Sequence, residues 1–401
     1  MTWAETTPGF GLDNLPYGVA PGPDGRDRIV VRIGDAALDL AGLTAEELVP
    51  PECGAMDLVP LMAAGPERWA EVRGILRNLL VEEANRPVVE PWLVPVDDLE
   101  LRLPFPVADY VDFYSSEAHA TNVGRMFRPD DEPLLPNWRH LPVGYHGRAG
   151  TVVVSGTPIR RPVGQRPTDD GPSVGPTQRL DFELEVGFVV GTASSWGRPV
   201  PVDEAEGHLF GAVLLDDWSA RDIQAWEYRP LGPFLGKSFA TSISAWVVPM
   251  AALDPVRVAG PSQDPAPPEY LQSDGDHAFA IDVVASIRTQ AMRDRGDDAH
   301  ALTRTDFRDM YWTAAQQVAH LTVNGASLRT GDLLGSGTVS GWDQATYGSL
   351  LELAWNGEHP VDLPDGSTRS FLEDGDEVIL TGWAGDVALG PVAGTVVEAR
   401  A

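Results

Sequence analysis

Apolar and polar positions alternate along much of this chain, mainly with a period of two. The stretches 151–159 (TVVVSGTPI), 179–191 (RLDFELEVGFVVG), 208–218 (HLFGAVLLDDW), 241–250 (TSISAWVVPM), 279–287 (FAIDVVASI) and 376–383 (DEVILTGW) carry the β-branched and aromatic content of strands. Near the start, 28–40 (RIVVRIGDAALDL) predicts two short strands around a Gly-Asp turn. Helical spacing appears at 57–83, where Leu58, Leu61, Trp69, Val72, Ile75 and Leu79 recur on one face and predict one or two helices. A further helix is expected over 307–323. A Pro-rich crossing at 86–106 places a boundary near Pro104, giving a small structural unit at 1–104 and a β-dominated unit at 105–401. Residues 254–276 read as a polar, Pro-rich surface excursion. Regular βα alternation is missing, which excludes a Rossmann sheet and a TIM barrel; no internal repeat is visible.

Composition sharpens this. At 401 residues two domains are expected, and Gly 41 with Pro 35 favours a β-rich, loop-rich fold. A formal net charge of −30 argues against nucleic acid or an anionic membrane as partner, and it means that an anionic substrate needs locally concentrated cations. The start shows no export signal and no apolar run is long enough to span a membrane, so a cytoplasmic enzyme is expected. Cys53 is the single cysteine, which rules out an intrachain disulfide and a thiolate metal cluster.

Lys237 is the sole lysine among 29 basic residues. Its retention in a chain that otherwise uses arginine points to a place needing a compact ammonium. It lies in 214–239 (LLDDWSARDIQAWEYRPLGPFLGKSF), together with Asp216, Asp217, Arg221, Asp222, Gln224 and Tyr228. In 180–190 a strand would project Asp181, Glu183 and Glu185 to one side, and the apolar continuation predicts burial. Carboxylates buried side by side require a cation. Asp109 and Asp112 supply a further acidic pair, and an all-oxygen set selects a hard ion, Mg²⁺ or Ca²⁺. His119, expected in a small-residue loop (SSEAHATNVG), is a candidate general base. His140 and His146 read as structural, beside Tyr145 and Arg148. Glu352, in what reads as an apolar strand (YGSLLELAW), needs a buried partner, and a histidine would serve. GPFLGKS is one residue short of a phosphate loop, Pro233 removes a donor from it, and no G-x-S-x-G elbow occurs.

Long strings then converge. NLPYGV, DFYSSEAHATNVG, LLPNWRHLPVGYHGRAGTVVVSGTPIRRP, LDFELEVGF, DDWSARDIQAWEYRPLGPFLGKSF, GDLLGSGTVSG and GSLLELAW together resemble the fumarylacetoacetate hydrolase family, in its full-length fumarylacetoacetase form. The resemblance implies a mainly β fold with some α: a small SH3-like β-barrel at 1–104, then a large mixed β-roll catalytic domain at 105–401, assembled as a homodimer. It implies Asp112, Glu183, Glu185 and Asp217 as calcium ligands, so that Asp217 is chosen over Asp216 and Asp181 is left outside. Lys237 (through backbone oxygen) and Thr241 would hold a second, magnesium-type ion; Mn²⁺ is an alternative metal. His119 would be the base, oriented by Glu352; Arg221, Gln224 and Lys237 would stabilise the oxyanion and leaving group. Tyr114, Arg128, Tyr145, Gln224, Tyr228 and Thr338 would contact a diketo dicarboxylate substrate. The implied reaction is C–C hydrolysis of 4-fumarylacetoacetate to fumarate and acetoacetate, at the end of tyrosine and phenylalanine breakdown. Acylpyruvate hydrolysis, oxaloacetate decarboxylation and isomerase chemistry are the alternatives within the superfamily. A non-catalytic calcium-binding protein is the alternative of another class.

Overall fold

The computed structural model describes residues 2–4 and 6–400. The amino-terminal strands Tyr17–Pro21, Asp27–Ile33, Ala36–Asp39 and Leu93–Pro95 pair in that order as an antiparallel meander. The predicted pair around Gly34 is present, with Ile33 opposite Ala36. The meander is an open sheet rather than a closed barrel: its first strand extends outward, where Tyr17 and Val247 exchange backbone hydrogen bonds of 2.9 and 2.7 Å. Between the third and fourth strands lie the helices Val59–Ala63 and Pro66–Val81; the second buries Val72, Leu76, Leu79 and Leu80 against the sheet.

The larger unit is built on an eight-stranded mixed sheet. Across it run Gly144–His146, Tyr110–Phe113, Leu333–Gly335, Leu184–Val190, Leu209–Asp216, Thr241–Ile243 and Val152–Val154, with Val248–Pro249 also paired to Leu209–Asp216. Two contacts are parallel, Leu333–Gly335 with Tyr110–Phe113 and Thr241–Ile243 with Val152–Val154. A second, five-stranded sheet contains Asp282–Arg288, His300–Asp306, Glu377–Ala384 and Val387–Val397 in antiparallel pairing, closed at one edge by Ile159–Arg160 in parallel.

The unbroken apolar run in Leu209–Asp216 follows from burial of both faces. Ala212 and Leu214 pack with Val283 and Leu380 of the second sheet, whereas Val213 and Leu215 pack with Ile29, Val31 and Leu76 of the amino-terminal unit. Desolvating both faces leaves the strand's end as the one place where this segment turns polar, and there it delivers Asp216 and Asp217.

Three sequence expectations are corrected. The helix foreseen over 307–323 is divided: a 3₁₀ turn, Phe307–Asp309, precedes Ala314–Thr322, which starts anew at a Thr313/Gln316 capping box. His119 lies in the helix Glu117–Phe127 and not in a loop, because the Ser116 hydroxyl accepts the His119 N–H at 3.1 Å and caps it. Glu352 lies in a short helix, Leu350–Leu353, and not in a strand. Ser349 caps that turn, and the Asp181 carboxylate accepts the N–H groups of Leu350 and Leu351 at 2.8 and 3.1 Å. A short run such as LLEL fits strand and helix equally by periodicity, and the partners of its first amides decided the outcome.

Candidate active site

Neighbouring strands of the large sheet bring four carboxylates to one point. Asp112 is in Tyr110–Phe113, in register with Gly335; Glu185 is one strand further, in Leu184–Val190; Asp217 follows Leu209–Asp216; Glu183 occupies the break between Leu180–Asp181 and Leu184–Val190. Oxygen atoms of Asp112, Glu183, Glu185 and Asp217 all lie within 4.8 Å of one another, and all four residues are buried. Gly335 makes this possible: a Cβ there would stand 3.0 Å from Glu185 Oε2 and 3.2 Å from Asp112 Oδ1. Sequence reasoning missed this glycine; its sequence signal was a glycine inside an apolar strand pattern (LLGSG), which marks close approach.

Two cations lie against the cluster. Lys237 Nζ donates to Asp217 Oδ2 at 2.7 Å and also to Glu183. Arg221 reaches Asp181 Oδ2 at 2.7 Å and Glu183 Oε1 at 2.8 Å, and donates to Gln224 Oε1 at 3.3 Å. Asp217 further accepts from Thr241 Oγ1 at 3.0 Å and Tyr145 Oη at 3.2 Å. Burial opposes ionisation of Glu183, but the charges of Arg221 and Lys237 prevail and hold its carboxyl well below the usual range. Burial and neighbouring Asp217 hold Asp112 well above that range; burial and Asp112 do the same for Glu185. Lys237, despite burial, is kept charged by Asp217 and Glu183, with its pKa raised.

The donor set fits a hard divalent ion. Asp112 Oδ1 and Glu185 Oε1 are buried without a hydrogen-bond partner, and every candidate ligand atom is oxygen. Asp181 falls outside the four: the strand breaks after it, and its oxygens are taken by Arg221 and the amides of Leu350 and Leu351. Asp216 is buried beside the cluster, where Oδ1 accepts the Glu183 N–H at 3.2 Å.

Above the carboxylates, His119 Nδ1 is 2.7 Å from Glu352 Oε2, and His119 Nε2 is 3.6 Å from Glu183 Oε1. Glu352 is fully buried and accepts from Asn122 Nδ2 at 2.9 Å, Ser340 Oγ at 2.8 Å and Ser349 Oγ at 3.1 Å. Burial works against its charge, but His119 and these donors leave the carboxyl below its ordinary value. With Glu352 an acceptor throughout, the proton of a neutral His119 resides on Nδ1 and the Nε2 lone pair is free. Asn122, Ser340 and Ser349 were not foreseen; they come from three segments that only the fold brings together.

A cavity of about 400 Å³ opens onto this constellation. Asp112, His119, Glu183, Glu185, Arg221, Gln224 and Lys237 line it, as do Tyr114, Arg128, Tyr145, Tyr228 and Thr338. Glu352, Asp217 and Thr241 lie behind that lining. Thr338 Oγ1 and Arg128 Nε are buried without partners, while Arg128 Nη2 donates to the Pro133 carbonyl at 2.8 Å. The cavity therefore combines an apolar body (Phe113, Val123, Phe127, Leu134), unspent polar groups and a carboxylate–cation floor. No described helix is long and apolar enough to cross a membrane.

Residues 13–104 match the family described as fumarylacetoacetase N-terminal, and residues 110–397 the one described as fumarylacetoacetate (FAA) hydrolase C-terminal. Among curated proteins, fumarylacetoacetase of Homo sapiens is 48% identical over 417 residues, covering 97% of this chain and 96% of the relative. Fumarylacetoacetase of Caenorhabditis elegans is 49% identical over 391 residues, covering 93% and 92%. Among solved structures, a fumarylacetoacetate hydrolase from psychrophilic Exiguobacterium antarcticum aligns with a TM-score of 0.56 at 18% identity, over 96% of this chain and 100% of that one. Maleylpyruvate hydrolase from Sphingobium aligns with a TM-score of 0.53 at 16% identity, again over 96% and 100%. At such identity these two similarities establish a shared fold.

Proposed function

The chain belongs to the fumarylacetoacetate hydrolase family, and from that premise we propose that it hydrolyses 4-fumarylacetoacetate to fumarate and acetoacetate. One observation carries the reading: His119, backed by Glu352, lines the same cavity as Asp112, Glu183 and Glu185 of the four-carboxylate cluster, where Asp112 Oδ1 and Glu185 Oε1 are unspent. His119 Nε2 takes a proton from water, and the hydroxide attacks the ketone carbon beside the fumaryl group. Glu352 keeps the proton of neutral His119 on Nδ1 and balances the imidazolium that forms; base assistance of this kind contributes about 10²–10⁴-fold. The C–C bond then breaks. Its electron pair departs with the acetoacetate carbon, which is protonated, while the fumaryl carbon retains the new oxygen as fumarate.

Asp112, Glu183, Glu185 and Asp217 would hold a divalent ion, Ca²⁺ in this reading with Mg²⁺ or Mn²⁺ as substitutes. That ion supplies Lewis-acid polarisation of a diketone oxygen. Lys237, through its backbone oxygen, and Thr241 would serve a second, magnesium-type ion. Arg221, Gln224 and Lys237 face the oxygen on which charge develops, where a preorganised donor is worth about 2.7–4 kcal/mol. Arg128, Tyr114, Tyr145, Tyr228 and Thr338 orient the dicarboxylate, and Arg128 gives its far end a cation in a protein of net charge −30.

The same reading places the domain division at Pro104, in line with the two family matches, and treats the open amino-terminal meander as SH3-like. It includes a homodimer at work in the cytoplasm; Leu231 and Phe234, 95% and 68% exposed near the cavity, are suited to burial by another chain. The test of activity is loss of diketone absorbance with purified protein, before and after chelation and calcium add-back. Loss that chelation stops and calcium restores is expected; no loss with calcium present would move the assignment to another diketo acid.

A further inference from the structure

Alternation sets Asp181 beside Glu183 and Glu185, yet it neither belongs to the four-carboxylate cluster nor lines the cavity. It is fully buried all the same, and a carboxylate so placed must be accounted for by its partners. The backbone sets it between two segments. On one side Leu180–Asp181 pairs with Ser219–Ala220, which leads directly into Arg221. On the other, Glu183 forms a β-bridge with Ser349, and the Leu184 N–H donates to the Gly348 carbonyl at 3.0 Å. The turn that carries Glu352 begins there.

The Asp181 carboxylate joins both segments. Its Oδ2 accepts from Arg221 Nε at 2.8 Å, lies 2.7 Å from Arg221 Nη2, and accepts the Leu351 N–H at 3.1 Å. Its Oδ1 accepts the N–H groups of Leu350 at 2.8 Å and Phe182 at 2.9 Å. The two arms meet again across the site, where Arg221 Nη2 is 2.8 Å and His119 Nε2 is 3.6 Å from the same oxygen, Glu183 Oε1. With Glu352 held by His119, the contacts close into a ring. Asp181 is the member that touches neither the base nor the cavity.

We propose that Asp181 is a positioning residue for the reaction: it ties Arg221, which faces the developing oxyanion, to the turn that presents Glu352 to His119. The catalytic part rests on the hydrolysis proposed above; the joint itself rests on the contacts. An aspartate suits the place because Arg221, Leu350, Leu351 and Phe182 all donate to it. Asparagine would turn its NH₂ group toward part of that set, donor against donor. Asp376 offers a comparison within the same chain. It is 1% exposed, holds Arg369 at 2.7 and 3.0 Å and accepts the Glu373 N–H at 2.8 Å, and none of these partners belongs to the site.

The test compares Asp181→Asn with Asp376→Asn in the calcium-loaded, full-length protein. Both are expected to lower Tm. Only Asp181→Asn lowers kcat, by about 10²-fold, the lower figure for one preorganised donor, with KM and calcium affinity close to those of the wild type. A kcat unchanged in Asp181→Asn, or lowered as much in Asp376→Asn, overturns the proposal. The arm to the base is read without turnover. In protein carrying isotope-labelled histidine, the hydrogen-bonded proton on His119 Nδ1 gives a downfield NMR resonance that moves in Asp181→Asn and stays in Asp376→Asn. A resonance unmoved in Asp181→Asn overturns the joint. Should that variant fail to fold because Arg221 loses a partner, the substitution is placed on Arg221→Gln, which removes the charge, and the resonance is compared with Arg221→Gln alone; no movement there overturns the joint equally. A protein that does not hydrolyse fumarylacetoacetate but shows the moved resonance removes the assigned reaction while supporting the joint.

Discussion

Lys237 was conspicuous in the sequence as the only lysine, and its place explains why arginine would not serve. Its ammonium sits as a compact point charge between Glu183 and Asp217, both also committed elsewhere, a pairing that a wider, planar guanidinium would not reproduce. Lys237→Arg is expected to lower kcat by about 10²–10³-fold, the loss of one preorganised donor, with the fold retained. Near-normal turnover would show that charge alone matters there. His119→Ala should bind calcium as the wild type does, measured by titration, yet lose about 10²–10⁴-fold in kcat; an active variant would remove His119 as the base. At this scale the resemblance supplied names for the carboxylates, and alternation foresaw the Asp181, Glu183, Glu185 series. What alternation could not foresee was the strand break that sends Asp181 to Arg221, or the partners of Glu352. Those depend on residues far apart in the chain, such as Asn122 and Ser340.

The strands were legible as elements because both faces of the sheet's centre are buried and the apolar runs are long. Short helices were not. His119 and Glu352 both sit in the first turn of a helix whose start is set by one serine, Ser116 or Ser349, and a single hydroxyl is a weak signal beside an ambiguous apolar run. Gly335 belongs to the element scale too, since it lets two carboxylates on flanking strands converge over the strand between them. Gly335→Ala is expected to fold, because the strand backbone there needs no positive φ, and to weaken calcium binding by about 10–100-fold. Unchanged affinity in a calcium titration would mean that Glu185 and Asp112 can rearrange around a methyl group.

Across the whole molecule the electrostatics are divided between an acidic surface and an interior where carboxylates outnumber cations. Asp112 and Glu185, raised by burial and by their neighbours, retain protons at a pH where exposed carboxylates are ionised. An ion must displace those protons, so calcium affinity should rise with pH until both groups ionise, then level off. Calorimetry of calcium binding to chelator-stripped protein, repeated in buffers of different ionisation enthalpy, should register proton release; a heat independent of buffer would place both groups in the ionised state beforehand. Calcium should also raise Tm with the logarithm of its excess over Kd, by about 2.7 kcal/mol of stability at a hundredfold excess. The joining of the amino-terminal meander to the rest was not legible in the sequence, because backbone pairing between Tyr17 and Val247 leaves no trace in side-chain pattern. That seam bears on how the protein is made. The amino-terminal meander leaves the ribosome with its first strand's edge bare, and the residue that covers it is synthesised only some 230 positions later. At about 5–20 residues per second, the nascent chain carries that edge uncovered for roughly ten to forty-five seconds.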